Sequence, residues 1–397
     1  MVSRWWAGLV LILLLGGSAS SAVAQTAASA APGSAPESVL DDPFVKKYGT
    51  KGLDLLYNME SERAQTVFDR INERYPRHPI GPFLEGLNLW WTIMLDLTDT
   101  EHDDAFFAQM EEVIARCEAL LDENPDHFDA HVLKAAAHGF QARLHSNRSN
   151  WWSAVRNGQK AINHVHVLEG DSLRGDYAFG KGMYDYYAAI LPEEYPVSKA
   201  IMWMLPDGNR ERGLRFLRRT AENGRYVQTE AIYFLTQIHF LYEDNFDQAL
   251  RNVRRLRERH PDNPYFHNFE GRVLARWGYW GEAQDVFREV VSRAEADQAG
   301  YNVHMEEIAR YYLGRGHLYQ DDYDEALRHL ARLEQLTDRD IEDNRFRIMG
   351  YLYQGMVYDA MGRRDIAVSR YRRVLRMDDP VEAHERAERY LEEPYSG

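Results

Sequence analysis

Apolar residues recur every three to four positions along most of this chain, and short runs rich in Pro, Gly, Asn and Asp interrupt them. This pattern predicts about eight consecutive helix pairs and one capping helix. The first helices of the pairs are expected at residues 43–58, 79–97, 126–145, 171–190, 229–243, 264–278, 301–320 and 342–361. Their partners are expected at 61–74, 101–122, 149–167, 208–222, 246–259, 281–296, 323–336 and 364–376, with the cap at 381–391. No segment alternates with a period of two, so we predict an all-α protein.

A short pattern repeats four times in the C-terminal half. An apolar or aromatic residue precedes an Ala, and another follows four positions after it, around Ala249, Ala283, Ala326 and Ala367. The intervals are 34 (283 − 249), 43 (326 − 283) and 41 (367 − 326) residues. Two helix starts in this region have a capping residue followed three positions later by Gln or Glu, at Asn245 and Asp322. A period of this length predicts helix pairs that bury their apolar faces by stacking on one another.

The repeated unit resembles the tetratricopeptide repeat. The last unit has the family's aromatic, Gly, Tyr, Ala and aromatic positions at Tyr351, Gly355, Tyr358, Ala367 and Tyr371. An N-terminal unit matches at Tyr48, Gly52, Ala64, Phe68 and Pro76, whereas the unit at Ala249 has Gln237 in place of the usual Gly. The resemblance implies a tetratricopeptide-like helix-hairpin solenoid whose groove binds a protein or peptide partner.

The middle of the chain, residues 79–225, departs most from this pattern and contains the longest insertion, at 191–209. Three of its segments follow in the order found in eukaryotic inclusion-body-clearance-type tetratricopeptide proteins, and they lie at 180–184, 190–192 and 207–214. Glu193 and Asn209 depart from that family's motifs. This second resemblance implies topology and no reaction.

The first 24 residues have the features of a secretory signal peptide: Arg4, an apolar run at 5–15, and Ala22-Val23-Ala24 as a cleavage site. We therefore expect a mature chain that begins at Gln25 and is periplasmic or secreted. The alternative is that the segment is retained as a membrane anchor. Residues 25–42 are rich in Ala, Ser and Pro and predict a flexible linker. Divergent repeats at 43–225 and a regular array at 226–397 would follow, without another membrane span.

Charge and cysteine content narrow the classes of partner. The net charge is −15, or −16 once Arg4 is removed with the signal peptide, which disfavours nucleic acid and anionic lipid. Cys117 is the only cysteine, so no intrachain disulfide can form. Its position in an apolar helical run predicts a buried side chain.

Two patterns imitate cofactor sites, and neither is complete. Residues 175–181 have the glycine spacing of a phosphate-binding loop, but Gly182 occupies the position of the Ser or Thr that holds Mg²⁺. We expect these glycines to pack helices closely. Four histidines lie on one face of a predicted helix, but the outer pairs are about 10 Å apart along its axis. They are His127, His131, His138 and His145. We therefore predict no metal, no cofactor and no catalysis, although His127 and His131 could chelate an ion beside Asp126 or Asp129.

Aromatic residues give the best candidates for a binding surface. Neighbouring residues on a helix point about 100° apart, so we expect one of Trp90 and Trp91, and one of Tyr186 and Tyr187, to be exposed to the groove. The candidate partner-binding residues are Trp91, His131, His138, Tyr184, Tyr187 and Trp203. They predict an exported protein-binding scaffold with its recognition site in the middle of the chain. The alternatives are a ligand-binding or enzymatic pocket around His131, His138 and Tyr184, or a membrane-tethered assembly subunit.

Overall fold

A computed structural model describes residues 38–167, 175–194, 207–338, 344–379 and 381–396. Within them the chain forms seventeen α-helices, two short 3₁₀ helices and no strand, as the period of the apolar residues predicts. The described residues fall into two compact units, an N-terminal unit of 38–235 and a C-terminal unit of 236–396. The predicted signal peptide, most of the predicted linker and Trp203 lie outside the described residues.

The N-terminal unit begins with a 3₁₀ helix at Val39–Asp41 and contains a second one at Gly175–Tyr177. Its α-helices are α1 (Pro43–Tyr57), α2 (Ser61–Arg74), α3 (Ile80–Leu95), α4 (Asp103–Glu123), α5 (Phe128–Asn147), α6 (Trp151–Val167), α7 (Ala178–Glu194) and α8 (Arg210–Asn223). Helix α9 (Gln228–Leu241) begins in this unit and ends in the next.

The C-terminal unit continues the same alternation of first and second helices. It contains α10 (Phe246–Arg259), α11 (Pro264–Trp277), α12 (Trp280–Glu295), α13 (Val303–Leu318), α14 (Tyr323–Thr337), α15 (Arg345–Ala360), α16 (Arg364–Val374) and the cap α17 (Ala383–Glu392). Most bounds lie within three residues of the predicted ones. In the residues that the structure describes, no helix is both long enough and apolar enough to cross a membrane.

A glycine on the first helix and a bulky residue sixteen positions later hold each regular pair together. A Cβ atom built on Gly52 would lie 2.2 Å from the Phe68 ring, and one on Gly355 would lie 2.4 Å from the Tyr371 ring. Gly271 with Phe287 and Gly314 with Leu330 repeat this contact. The second-helix alanines that anchor the sequence pattern are buried beside these contacts: Ala64, Ala249, Ala283, Ala326 and Ala367. Only glycine lets the two helices approach so closely.

One of the two predicted capping residues is confirmed. The side chain of Asn245 accepts a hydrogen bond from the backbone N–H of Gln248 at 3.1 Å. The prediction for Asp322 is wrong, because its side chain makes no cap bond and its carboxylate contacts Nδ1 of His317 at 3.1 Å instead.

One helix of the divergent middle begins later than predicted. Helix α7 starts at Ala178 and not at residue 171, because Gly175 has a φ of +58°, a left-handed conformation that an α-helix does not accommodate. The other two glycines of the phosphate-loop imitation pack helices, as expected. A Cβ atom on Gly180 would lie 3.2 Å from Val165, and one on Gly182 would lie 3.0 Å from Leu217. The first four residues of the predicted insertion continue α7, which includes Pro192.

Candidate functional site

The packing glycines fix which residues of a first helix turn away from the second helix. At 100° per residue, the residue three positions before the glycine and the residue one position after it lie on the same neighbouring side of the helix. We call this side the first-helix face. In the N-terminal unit these positions are apolar or Gly, at Gly49, Leu53, Phe83, Leu87, Phe179 and Met183. In the C-terminal unit they are polar or aromatic beside Gly271 and Gly314, at Asn268, Arg272, Tyr311 and Arg315, and apolar beside Gly355, at Leu352 and Met356. The helices α11 and α13 therefore present different chemistry from the N-terminal unit on the corresponding face.

The first-helix face of the N-terminal unit encloses an apolar cavity of about 290 Å³. Side chains of α1, α3, α5, α6, α7 and the start of α9 line it, together with Leu40 and Tyr177. Several of the lining residues are small, namely Gly49, Ala135, Ala136, Gly139, Ala161 and Gly180. A Cβ atom built on Gly139 would meet nothing within 4 Å. Small side chains on the helices thus leave the space open.

The cavity has a polar end where α5 meets α9. Arg143 is buried there, donates to the Tyr233 hydroxyl at 2.8 Å and lies 4.8 Å from the Trp90 ring centre. Glu230 accepts a hydrogen bond from the Tyr57 hydroxyl at 3.3 Å. Burial raises the pKa of Glu230, and the Arg143 charge and the Tyr57 bond offset part of that shift. One guanidinium and one carboxyl group are therefore held within an otherwise apolar lining.

The start of the described chain covers one side of this cavity. The Asp129 carboxylate accepts hydrogen bonds from the Ser38 hydroxyl at 2.5 Å and from the backbone N–H of Val39 at 2.7 Å. The Tyr226 hydroxyl donates to the Leu40 carbonyl at 2.7 Å, and Leu40 lines the cavity. Burial raises the pKa of Asp129, but its bonds to His78 and Ser38 lower it further, so the net pKa is lowered. We call residues 38–41 the N-terminal strap.

The first-helix face of the C-terminal unit is built around Arg315. Its guanidinium lies 5.4–5.7 Å from five aromatic ring centres, those of Trp280, Tyr311, Tyr312, Tyr319 and Tyr353. This is within cation–π distance of each ring. Arg315 donates to the Tyr311 hydroxyl at 3.2 Å, and its Nε is buried without a hydrogen-bond acceptor. Among the residues that the structure describes, no carboxylate lies within 4 Å of this guanidinium.

A second guanidinium strengthens the positive potential at this face. Arg386 of the capping helix lies 5.4 Å from the Tyr353 ring centre, on which Arg315 also lies. Burial raises the pKa of Tyr353, but the charges of Arg315 and Arg386 lower it further, so the net pKa is lowered. Burial keeps the pKa values of the neighbouring Tyr311 and Tyr319 raised, so among these three tyrosines the arginine charges outweigh burial at Tyr353 alone.

One exposed aromatic ring, Tyr319, contacts Arg315, and two more lie at the turn just before Trp280, another ring that Arg315 contacts. Trp277 is 36 % exposed, Tyr279 48 % and Tyr319 42 %. Tyr319 packs edge-on against Trp280 at 5.1 Å between ring centres, and Trp277 packs against Tyr279 at 4.8 Å. Arginine beside accessible aromatic rings is a composition typical of the energetic centre of protein interfaces.

The structure contradicts the predicted exposure of the paired aromatics in the middle of the chain. Both Trp90 and Trp91 are buried, as are both Tyr186 and Tyr187. Trp91 is only 4 % exposed and packs edge-on against Tyr57 at 5.3 Å, because α1 covers the side of α3 that was expected to be free. Tyr187 lines the apolar cavity. The roles of Trp91 and Tyr187 in partner binding stay predictions.

The predicted pocket around His131, His138 and Tyr184 is not assembled. His131 Nδ1 lies 2.9 Å from Nδ1 of His164, on α6, and His138 lines a separate polar cavity of about 330 Å³ between α4, α5 and α6. Tyr184 is buried and lines neither cavity. Sequence reasoning missed His164, which burial and the Lys134 charge hold at a pKa of about 4.

No metal centre emerges from the residues described. Groups of three or more His, Cys, Asp or Glu side chains that could hold an ion do not occur among them. Cys117 is buried, as predicted, and burial raises the pKa of its thiol to about 12.

Comparison with solved structures finds neighbours of low identity. A dimer of human IFIT1 with PPP-AAAA is 15 % identical, with a TM-score of 0.41, over 80 % of this chain and 69 % of that one. Yeast Tom70 is 13 % identical, with a TM-score of 0.41, over 79 % of this chain and 63 % of that one. Similarity at this level supports no inference about what this chain binds. Among curated proteins, none matches this sequence.

A family model, described as the tetratricopeptide repeat, matches residues 238–299. The match spans the end of α9 and the helices α10 to α12. It does not reach residues 180–214, so the second resemblance stated above stays a prediction. The repeat match in α9 to α12, and the same glycine contact in the pairs on both sides of it, support a tetratricopeptide-repeat protein.

Proposed function

We propose that this protein is an exported, non-catalytic scaffold that binds an acidic segment of a partner protein on the first-helix face of its C-terminal unit. Stacked helix pairs provide extended binding surfaces in general. The observation that carries the proposal is the setting of Arg315, a cation held among aromatic rings with no carboxylate partner in the described part of the chain.

Arg315 has hydrogen-bonding capacity to spare. A guanidinium carries five N–H donors, and the partners of Arg315 are the hydroxyls of Tyr311 and Tyr319. A carboxylate of the partner would accept two parallel bonds from such a group, which is the strongest arrangement that arginine offers. The surrounding rings hold the guanidinium in place, so little side-chain freedom is lost on binding.

The exposed ring of Tyr319 beside Arg315, and those of Trp277 and Tyr279 at the turn before Trp280, favour apolar residues in the bound segment. Trp277, Tyr279 and Tyr319 are partly accessible and lie on or after the first helices α11 and α13. We therefore place the recognition site in the C-terminal unit. Trp90, Trp91, Tyr186 and Tyr187 are buried and supply no such surface. The exposed pair Trp151 and Trp152 begins α6, a second helix, and does not lie on the first-helix face.

Export rests on the sequence of the first 24 residues, which lie outside the described part of the chain. The charged, apolar and small-residue segments follow the order of a cleaved signal peptide. An exported scaffold would meet its partner in the periplasm or outside the cell.

The test is selection from a random peptide library on the mature chain, residues 25–397, followed by affinity measurement with the selected peptides. We expect enrichment in Asp and Glu beside apolar residues, and binding that weakens with salt. Arg315→Gln should weaken binding about 10- to 30-fold, as expected of an arginine at the centre of an interface. Arg251→Gln is the matched control, because Arg251 lies on a second helix and pairs with Asp247.

Arg315→Lys separates charge from geometry. If two parallel bonds matter, the lysine variant should bind nearly as weakly as the glutamine variant. Peptides that lack acidic residues, or that bind Arg315→Gln and the native chain equally well, would place the recognition site elsewhere.

A further inference from the structure

We propose that the apolar cavity of the N-terminal unit binds a single hydrocarbon chain of about ten carbon atoms, as found in a fatty acid or a fatty alcohol. This site is independent of the peptide site proposed above, because its residues all belong to the N-terminal unit. The stacking of helix pairs does not require such a cavity.

The space is a partly open apolar pocket of about 290 Å³ on the first-helix face and not a sealed void. Protein interiors pack as densely as organic crystals, and the voids that they contain are few and small. Dry apolar cavities of even half this size bind small apolar molecules. The volume lies at the lower end of the range of small-molecule pockets.

Small residues in the lining keep the space open. Gly139 lies in the middle of α5, where Ala would favour the helix by about 1 kcal/mol, and no atom within 4 Å would obstruct its Cβ. Ala136 lies one turn earlier on the same helix and also lines the cavity. Larger residues at these two positions would fill the space.

Water and polar ligands fit this lining poorly. A buried water needs two to four polar partners, and apart from Nε of Arg143 the polar groups here are engaged. The Tyr57 hydroxyl donates to Glu230, and the Tyr226 hydroxyl donates to the Leu40 carbonyl. An Asp176 carboxylate oxygen accepts three backbone N–H groups, those of residues 225–227. The remaining surface is aliphatic and aromatic, which favours a hydrocarbon.

The size of the space favours a chain over a helix. A helix with its side chains is about 10–12 Å across, whereas the cavity holds on the order of ten water-sized groups. An extended or folded chain of about ten carbons occupies a comparable volume. Arg143 is the only cation among the lining residues, so a carboxylate head group would lie at that end.

Calorimetry on the mature chain, after removal of co-purified lipid, tests the proposal with octanoate, decanoate, dodecanoate and decanol. We expect one molecule per chain and a gain in affinity of about 10-fold from octanoate to decanoate, since each buried methylene contributes about 0.8 kcal/mol. The gain should level off at dodecanoate, which exceeds the space. Binding of both decanoate and decanol supports recognition of the hydrocarbon, and binding of decanoate alone supports it with Arg143 at the head group.

Filling the cavity provides the matched variants. Gly139→Leu should weaken decanoate binding at least 10-fold, and Gly139→Ala about 4-fold, while circular dichroism stays that of the native chain. Gly281→Leu is the control, because Gly281 is also helical and also free of obstruction but lies in the C-terminal unit. If Gly139→Leu does not fold, the alanine variant decides. Absence of saturable binding, affinity independent of chain length, or unchanged binding by the Gly139 variants would overturn the proposal.

Discussion

Replacing Gly355 by alanine tests whether the helix pairs are held together by their glycine contacts. The new methyl group would lie 2.4 Å from one ring carbon of Tyr371 and 2.7 Å from the next, where ordinary contacts are 3.4–4 Å. The ring cannot move aside freely. Tyr371 is buried, and its hydroxyl donates to Asp359 at 2.9 Å, a carboxylate that also pairs with Arg364 at 2.9 Å.

Two opposing effects determine the expected size of the change. Alanine favours a helix over glycine by about 1 kcal/mol. Overpacking a well-filled contact costs about 1–3 kcal/mol, and weakening the Tyr371–Asp359 bond adds about 1 kcal/mol. We therefore expect Gly355→Ala to lower the free energy of unfolding by about 1–3 kcal/mol.

Gly281→Ala is the control, since nothing lies within 4 Å of its Cβ position in α12. It should leave stability unchanged or raise it by up to about 1 kcal/mol. Urea titrations followed by circular dichroism compare the two variants, and hydrogen exchange in α15 reports local opening, because repeat arrays need not unfold in a single step. In a double-mutant cycle with Tyr371→Leu, the two changes should couple favourably by about 1 kcal/mol. If Gly355→Ala is as stable as Gly281→Ala, the glycines do not set the helix spacing and the first-helix face defined from them loses its basis.

Three further expectations concern acid stability, the N-terminal strap and processing. Burial, with the Arg259 charge, lowers the pKa of His260 to about 3, whereas its pKa in the unfolded chain is roughly 6.5. The contribution of neutral His260 to the free energy of unfolding is therefore complete above pH 6.5 and is lost as the pH falls toward 3. Urea titrations should show a loss of about 2 kcal/mol from this group between pH 7 and pH 5, and a smaller loss in His260→Gln. Asp129→Asn should lower the free energy of unfolding by about 1–3 kcal/mol. It should also speed hydrogen exchange at the backbone amides of Val39 and Leu40, which donate to the Asp129 carboxylate. Unchanged exchange would contradict the role of Asp129. N-terminal sequencing of the protein from the cell envelope should begin at Gln25, and a sequence beginning at Met1 in the membrane fraction would refute cleavage.

The helices and their order could be predicted from the sequence because the information is local. Apolar periodicity, breakers and the Gly and Ala positions of each pair are all contained within about forty residues. Helix α10 has the bounds predicted for it, Phe246–Arg259. The start of α7 could not be predicted in this way, since Gly175 in a left-handed conformation and Gly180 in a helix are the same residue in the sequence.

The burial of the paired aromatics could not be predicted because it depends on contacts between distant helices. Residues 90 and 91 do point about 100° apart, as the helix geometry requires. Both sides of α3 are nevertheless covered: Trp90 packs against Phe140 of α5 at 5.3 Å, and Trp91 packs against Tyr57 of α1 at 5.3 Å. In a stacked array each helix has neighbours before and after it, so a difference in direction does not by itself expose either residue.

The chemistry of the two first-helix faces was nevertheless present in the sequence, at positions defined by the packing glycines. The residue after Gly52 is Leu53, and the residue after Gly86 is Leu87; both line the apolar cavity. The residue after Gly314 is Arg315, which lies among aromatic rings in the C-terminal unit. Large aromatic rings are as much core residues as binding residues, so adjacent aromatic pairs do not by themselves mark a binding surface. A glycine that must face its partner helix fixes the orientation of its neighbours, and in a repeat protein those neighbours are where a search for the binding surface should begin.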